Sequence, residues 1–188
     1  MVRAIIFDLY GVLAQNGWQA FKAKHFATRE DVWTEVFKLG RRVDAGEADY
    51  TELISFTAEQ TGESQETVRY QLEHTLANTE LLSYIADALK PHYKLGILSN
   101  ASSTKVLDEV FSSEQIALFD VITLSHHTGL TKPATAAYES IANLLKVNVQ
   151  ECLFIDDQER HVEGAQNAGM RALVYSDLAA LKKEIALL

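Results

Sequence analysis

The 188-residue chain contains one cysteine, Cys152, so no disulfide can form within it. Cys152 lies in the apolar run Cys152-Leu153-Phe154-Ile155, where a buried, reduced thiol is expected rather than a nucleophile or a metal ligand. Paired Cys/His spacings for zinc are absent, and so is any G-x-G-x-x-G nucleotide loop. Positive charge is also scarce. Seventeen Lys and Arg against 26 Asp and Glu leave a formal charge of −9. Nucleic-acid backbones are bound by clustered cations, so this balance argues against nucleic-acid binding, and an anionic substrate must be held by local charge. No stretch approaches the ~18 apolar residues of a membrane span. The opening run Met1 to Phe7 is interrupted by Asp8, short of the ~7–15 apolar residues of a secretion signal. It reads as a strand, and a cytoplasmic protein with no membrane partner is expected.

A hydrophobic content of 47% with 23% charged residues is ordinary globular usage. Short apolar runs recur at Ala4-Phe7, Leu95-Leu98, Val121-Leu124, Leu153-Ile155 and Ala172-Tyr175, as expected of strands covered on both faces. Helical periodicity between them predicts helices at Leu81 to Leu89, Thr104 to Phe111, Thr135 to Leu145, His161 to Asn167 and Leu178 to Ile185. The first two are preceded by the cap-type residues Thr79 and Ser102 or Ser103. Strands alternating with helices imply an α/β fold with a doubly wound parallel sheet. From about Gln15 to Asn78 only helical patterns occur, punctuated by Gly40, Gly46 and Gly62. The expectation is a core formed by residues 1–14 and 79–188 and an all-helical insertion over 15–78, placed where open α/β sheets bind ligands.

Four motifs fall at predicted strand ends. Phe7-Asp8-Leu9-Tyr10-Gly11 sets a carboxylate at the mouth of the sheet, where it can attack an electrophile or merely cap a turn. Leu98-Ser99-Asn100 offers a hydroxyl and an amide as anion donors, although Ser-Asn is also common loop chemistry. In Thr131-Lys132-Pro133 the proline disfavours helix at Lys132, whose ammonium can neutralise charge on a nucleophile or transferred group; most lysines are simply solvated. Phe154-Ile155-Asp156-Asp157 brings two adjacent acids, which repel unless they share a cation. One of them is explained by helix capping, two less readily.

In this order and at these strand ends, the motifs resemble those of the haloacid dehalogenase superfamily over essentially the whole chain. The resemblance makes Asp8 the motif I nucleophile, Ser99 the motif II residue, Lys132 the motif III lysine and Asp156-Asp157 the motif IV acids. It makes the helical insertion the small cap that follows motif I in one branch. It implies an HAD-like core and a small anionic substrate bound by Ser99, Asn100 and Lys132. It also implies Mg²⁺ held by Asp8, the Tyr10 carbonyl and Asp157, with Asp156 as a ligand or a neighbour of one. The assembly is expected to be a monomer or homodimer.

Two departures divide the functional expectation. Family phosphatases usually carry a second Asp two residues after the nucleophile, to protonate the leaving alcohol and later deprotonate water. Here that position is Tyr10, whose phenol, with a pKa near ~10, is a poor base at neutral pH. An Asp-x-Tyr-Gly start resembles the family's 2-haloacid dehalogenases, but those work without metal and usually have Ser and Asn where this chain has Asp156 and Asp157. The Asn or Asp often found four residues beyond the second motif IV acid is His161, so the resemblance does not supply the usual bond from that residue to the lysine. The first reading is a slow Mg²⁺-dependent phosphatase. The alternatives are a metal-independent 2-haloacid dehalogenase and a catalytically weak binding or regulatory protein. Arg29, Arg41 and Arg42 are loose candidates for holding halide or carboxylate. Trp18, Phe21 and Phe26 read as core of the insertion.

Overall fold

The computed structural model describes residues 1–15, 17–44, 48–101 and 104–188; Ser102, Ser103, Ala45, Gly46, Glu47 and the Arg41 side chain lie outside the described residues. The chain divides into two compact units, 1–14 with 77–188 and 15–76.

In the first unit five parallel strands form one sheet: β1 (Ala4–Phe7), β4 (Lys94–Ser99), β5 (Val121–Leu124), β6 (Cys152–Asp156) and β7 (Arg171–Val174), in the order β5-β4-β1-β6-β7. The two remaining strands, β2 (Ala14–Gln15) and β3 (Leu76–Ala77), pair as a short ribbon. Sequence periodicity missed this ribbon because two residues carry no alternation. β1 lies at the centre, with Phe7 opposite Ile97 of β4 and Ile155 of β6. The chain therefore crosses to opposite sides of β1, and the carboxyl ends of β4, β1 and β6 border the crevice where open α/β sheets place ligands.

The unbroken apolar runs follow from burial of both sheet faces. Ile5 and Phe7 join one core with Leu95, Ile97 and Ile155, packed by Leu81, Ile85, Phe111 and Leu181. Ala4 and Ile6 point the other way, into a core with Phe154, Tyr138, Ile141 and Ala165. Helices cover both faces: α5 (Thr79–Tyr84), α6 (Lys105–Val110), α7 (Ser113–Ile116), α8 (Ser125–Thr128), α9 (Thr135–Leu145), α10 (Glu159–Asn167) and α11 (Leu178–Ile185). Asn78 caps α5, accepting from the Leu81 N–H, and Thr79 is the first helical residue rather than the cap. That helix continues as a π-helical stretch, Ile85–Leu89. Among the described residues, Thr104 precedes α6 with no side-chain cap bond.

The second unit is helical: α1 (Gly17–Phe26), α2 (Glu30–Asp44), α3 (Tyr50–Thr61) and α4 (Gln65–Glu73). Phe21, Phe26, Trp33, Val36, Leu53, Ile54, Val68 and Leu72 form its core, with Trp18 packed against them. Asp49 and Ser64 cap α3 and α4. No described helix is long and apolar enough to cross a membrane.

Candidate active site

Asp8 is the first residue past β1, and its N–H still donates to Ile155 O at 2.8 Å, which fixes its backbone to β6. Its Oδ1 accepts from the Leu9 N–H at 2.6 Å and lies 2.8 Å from Lys132 Nζ. Burial, opposed by the Lys132 charge and reinforced by Asp156, pushes its carboxyl up to about 7. Gly11, at φ 86°, turns the chain sharply, and Gly11 N and Ala14 O close the loop at 2.8 Å. The glycine has a second reason. A Cβ there would collide with the Asp157 carboxylate, so Asp157 lies directly against the bare Gly11 backbone.

Lys132 is buried, as are Asp156 and Ser99. Its ammonium bridges Asp8 Oδ1 at 2.8 Å and Asp156 Oδ2 at 2.6 Å and sits over the Phe154 ring at 5.3 Å. Asp156 Oδ1 accepts from the Gln158 N–H at 2.8 Å, and His161 Nδ1 lies 3.1 Å from both Asp156 oxygens. Burial alone would raise the Asp156 carboxyl, but Lys132, these hydrogen bonds and His161 hold it below its ordinary value. Burial lowers the pKa of His161 against the pull of Asp156, which favours the neutral ring.

The two motif IV acids therefore do different things. Asp8, Asp156 and His161 are close enough to hold a cation among them, but the cation between the two carboxylates is already the Lys132 ammonium. Asp156 has both oxygens committed, which leaves Asp157 as the motif IV acid that could hold a metal. Asn100, expected to bind substrate, has its amide on the lysine loop in this structure. Its Nδ2 donates to Lys132 O at 2.9 Å and its Oδ1 accepts from Lys132 N at 2.8 Å, so its amide braces the lysine loop. Ser99 ends β4 beside this brace. Tyr10 is 41% exposed, and its phenol is shifted up by partial burial and by Glu109. Arg29 is spent in the helical unit, donating to Gln60 O at 2.8 Å and lying over the Phe26 ring.

Sequence reasoning missed how His161 is used. It sits five residues after Asp156, across the turn from β6 into α10, and its carbonyl accepts from the Tyr138 hydroxyl at 2.7 Å. Gly164 permits this close approach, since a Cβ there would meet Pro133 and Tyr138 within 2.9 Å. The small-residue pair Gly164-Ala165 was the available signal. Asn78 was missed as well: its Nδ2 donates to Val12 O and to the Tyr175 hydroxyl, both at 3.0 Å, tying the Asp8 loop to the segment after β7.

A loop carrying a buried aspartate, a buried lysine and paired acids at the carboxyl ends of neighbouring parallel strands form one candidate hydrolytic site. Residues 2–169 match the family described as haloacid dehalogenase-like hydrolase, and the chain belongs to that family. It is 40% identical over 92 residues to Phosphatase MT3486 of Mycobacterium tuberculosis, an alignment covering 47% of this chain and 41% of that protein. Among solved structures it is similar to an HAD family enzyme of Bacteroides thetaiotaomicron in complex with magnesium and inorganic phosphate. That match has a TM-score of 0.60 and 19% identity and covers 96% of this chain and 99% of the other. It is also similar to the 2-haloacid dehalogenase of Pseudomonas syringae, with a TM-score of 0.55 and 17% identity, covering 93% and 86%.

Proposed function

We propose that the protein is a Mg²⁺-dependent phosphohydrolase acting on a small phosphorylated metabolite, with Asp8 as its nucleophile. The observation that carries this reading is the Asp157 carboxylate lodged against Gly11, in the same loop as Asp8 and the Tyr10 carbonyl. These are hard oxygen donors of the kind Mg²⁺ takes, and the missing Gly11 side chain makes room for the Asp157 carboxylate beside the Asp8 loop, so the residues fit the ion. When bound, Mg²⁺ would supply positive charge to the Asp8 carboxylate and the phosphoryl oxygens. Similarity to a mycobacterial phosphatase supports the same choice.

In this reading an Asp8 oxygen attacks phosphorus and the bond to the leaving oxygen breaks with its electron pair, forming an aspartyl-phosphate. Lys132 and the Ser99 hydroxyl hold the phosphoryl oxygens. Water then attacks phosphorus, the bond to Asp8 breaks, and phosphate and the free carboxylate are released. Tyr10 gives little help with the leaving group's proton, so aryl phosphates are expected to turn over faster than alkyl phosphates. The helical unit occupies the chain position of the family's cap and is proposed to select the substrate.

Tyr10 favours a second reading, displacement of halide from a 2-haloacid by Asp8. Phosphate release from an aryl phosphate, with and without Mg²⁺, tests the first; chloride release from 2-chloropropionate in EDTA tests the second. Mg²⁺-dependent phosphate release alone is expected. Metal-independent chloride release without phosphatase activity would replace the first reading with the second.

A further inference from the structure

The Asp156 carboxylate needs more than its bond to Lys132 to stay in place. A carboxylate turns about a soft terminal torsion, and any swing of Asp156 would draw the shared ammonium away from Asp8. The Gln158 N–H holds one oxygen at 2.8 Å, and His161 Nδ1 spans both at 3.1 Å. We infer that His161 is a positioning residue: by donating from Nδ1 across both oxygens of Asp156, it fixes that carboxylate and, through it, the Lys132 ammonium against Asp8.

The backbone that carries the ring is itself held at both ends. The His161 N–H donates to Gln158 O at 2.9 Å, and its carbonyl accepts from the Tyr138 hydroxyl at 2.7 Å. Facing two acceptor oxygens, Nδ1 must carry the proton. Nε2 is buried with no hydrogen-bond partner among the described residues. As a bare lone pair, Nε2 leaves no buried donor unsatisfied; as an N–H it would. The geometry therefore selects the Nδ1–H tautomer, with a directional donor where the family often has an Asn or Asp. The contact is to Asp156 and not to Lys132.

Misplacement of a charged group by a fraction of an ångström acts mainly on the transition state, so turnover should respond more than substrate binding. The kinetic part of the test rests on the phosphohydrolase reading. The spectroscopic part does not, and this separates failure of one from failure of the other.

Three proteins serve: wild type, His161→Phe, which keeps a ring without a donor, and His161→Asn, whose amide can donate near the Nδ1 position. In nitrogen-15 NMR of the wild type in EDTA, the expected result is a His161 ring protonated at Nδ1 and bare at Nε2. With an aryl phosphate and Mg²⁺, His161→Phe is expected to lower kcat about tenfold to a hundredfold with little change in KM, while His161→Asn restores most of it. A ring protonated at Nε2 alone would overturn the inference. Equal loss in both variants at matched thermal stability would also overturn it, because the role would then be packing. If neither variant folds, or neither reaction is catalysed, the tautomer decides.

Discussion

Asn100 and Lys132 hold each other by a reciprocal pair of hydrogen bonds, Nδ2 to O at 2.9 Å and N to Oδ1 at 2.8 Å. One side chain at the end of β4 thereby sets the course of the separate loop that delivers the lysine. Asn100→Ala should cost about 1–3 kcal/mol of stability, from the bonds lost and the backbone groups left without them. It should also lower kcat/KM for an aryl phosphate by about tenfold or more as Lys132 loses its register. Urea unfolding and steady-state kinetics on the same preparation measure both, and wild-type kinetics with lowered stability would confine Asn100 to folding.

Asp8 makes stability depend on pH with a definite sign. Burial pushes its carboxyl from the ordinary 3.8 of an unfolded chain up to about 7 in the folded protein, so the folded state holds the proton more tightly. Its contribution is most favourable below the unfolded value and is lost as pH rises through about 7. Asp8→Asn, which remains neutral, should therefore raise the Tm in EDTA by several degrees at pH 8 and by much less at pH 5. Thermal melts at the two pH values measure this, and a larger gain at the lower pH would contradict it.

Tyr10→Asp restores a carboxylic acid two residues after the nucleophile. Acid–base assistance is typically worth about 10²–10⁴-fold, so alkyl-phosphate turnover should rise well above wild type while aryl-phosphate turnover changes less. A folded variant with no gain on alkyl phosphates would show that Tyr10 does not limit their turnover.

Gly11→Ala places a side chain in the left-handed region and into the Asp157 carboxylate. The expected cost is about 1–3 kcal/mol from backbone strain. Displacement of Asp157 should weaken Mg²⁺ binding as well. Calorimetric titration of Mg²⁺ into both proteins reads this directly, and unchanged affinity would take Asp157 out of the ligand set.

Where packing alone decides an element, the sequence is legible to the residue: Ala4–Phe7, Val121–Leu124, Thr135–Leu145 and Leu178–Ile185 begin and end where their apolar patterns do. Elements built on single hydrogen bonds are not. α7 is four residues long, held by a capping box between Ser112 and Gln115, and is too short for a periodic signal. The π-helical stretch after α5 buries Ile85 and Leu89 much as an α-helix would, so its pattern gives no warning. Asp8, Lys132 and Asp156 were visible because each ends a strand or the loop after one. The committed amide of Asn100 depends on a contact between segments 32 residues apart, which no local pattern carries, and the turn of His161 back onto Asp156 is signalled only by the small pair Gly164-Ala165.

Asp8 is tested as the nucleophile by quenching the protein with acid during turnover of an aryl phosphate in Mg²⁺ and locating the phosphoryl group by mass spectrometry of its peptides. Phosphate is expected on Asp8, absent from Asp8→Asn and from samples in EDTA. Sustained turnover with no phosphorylated Asp8, or with the group on another residue, would contradict it.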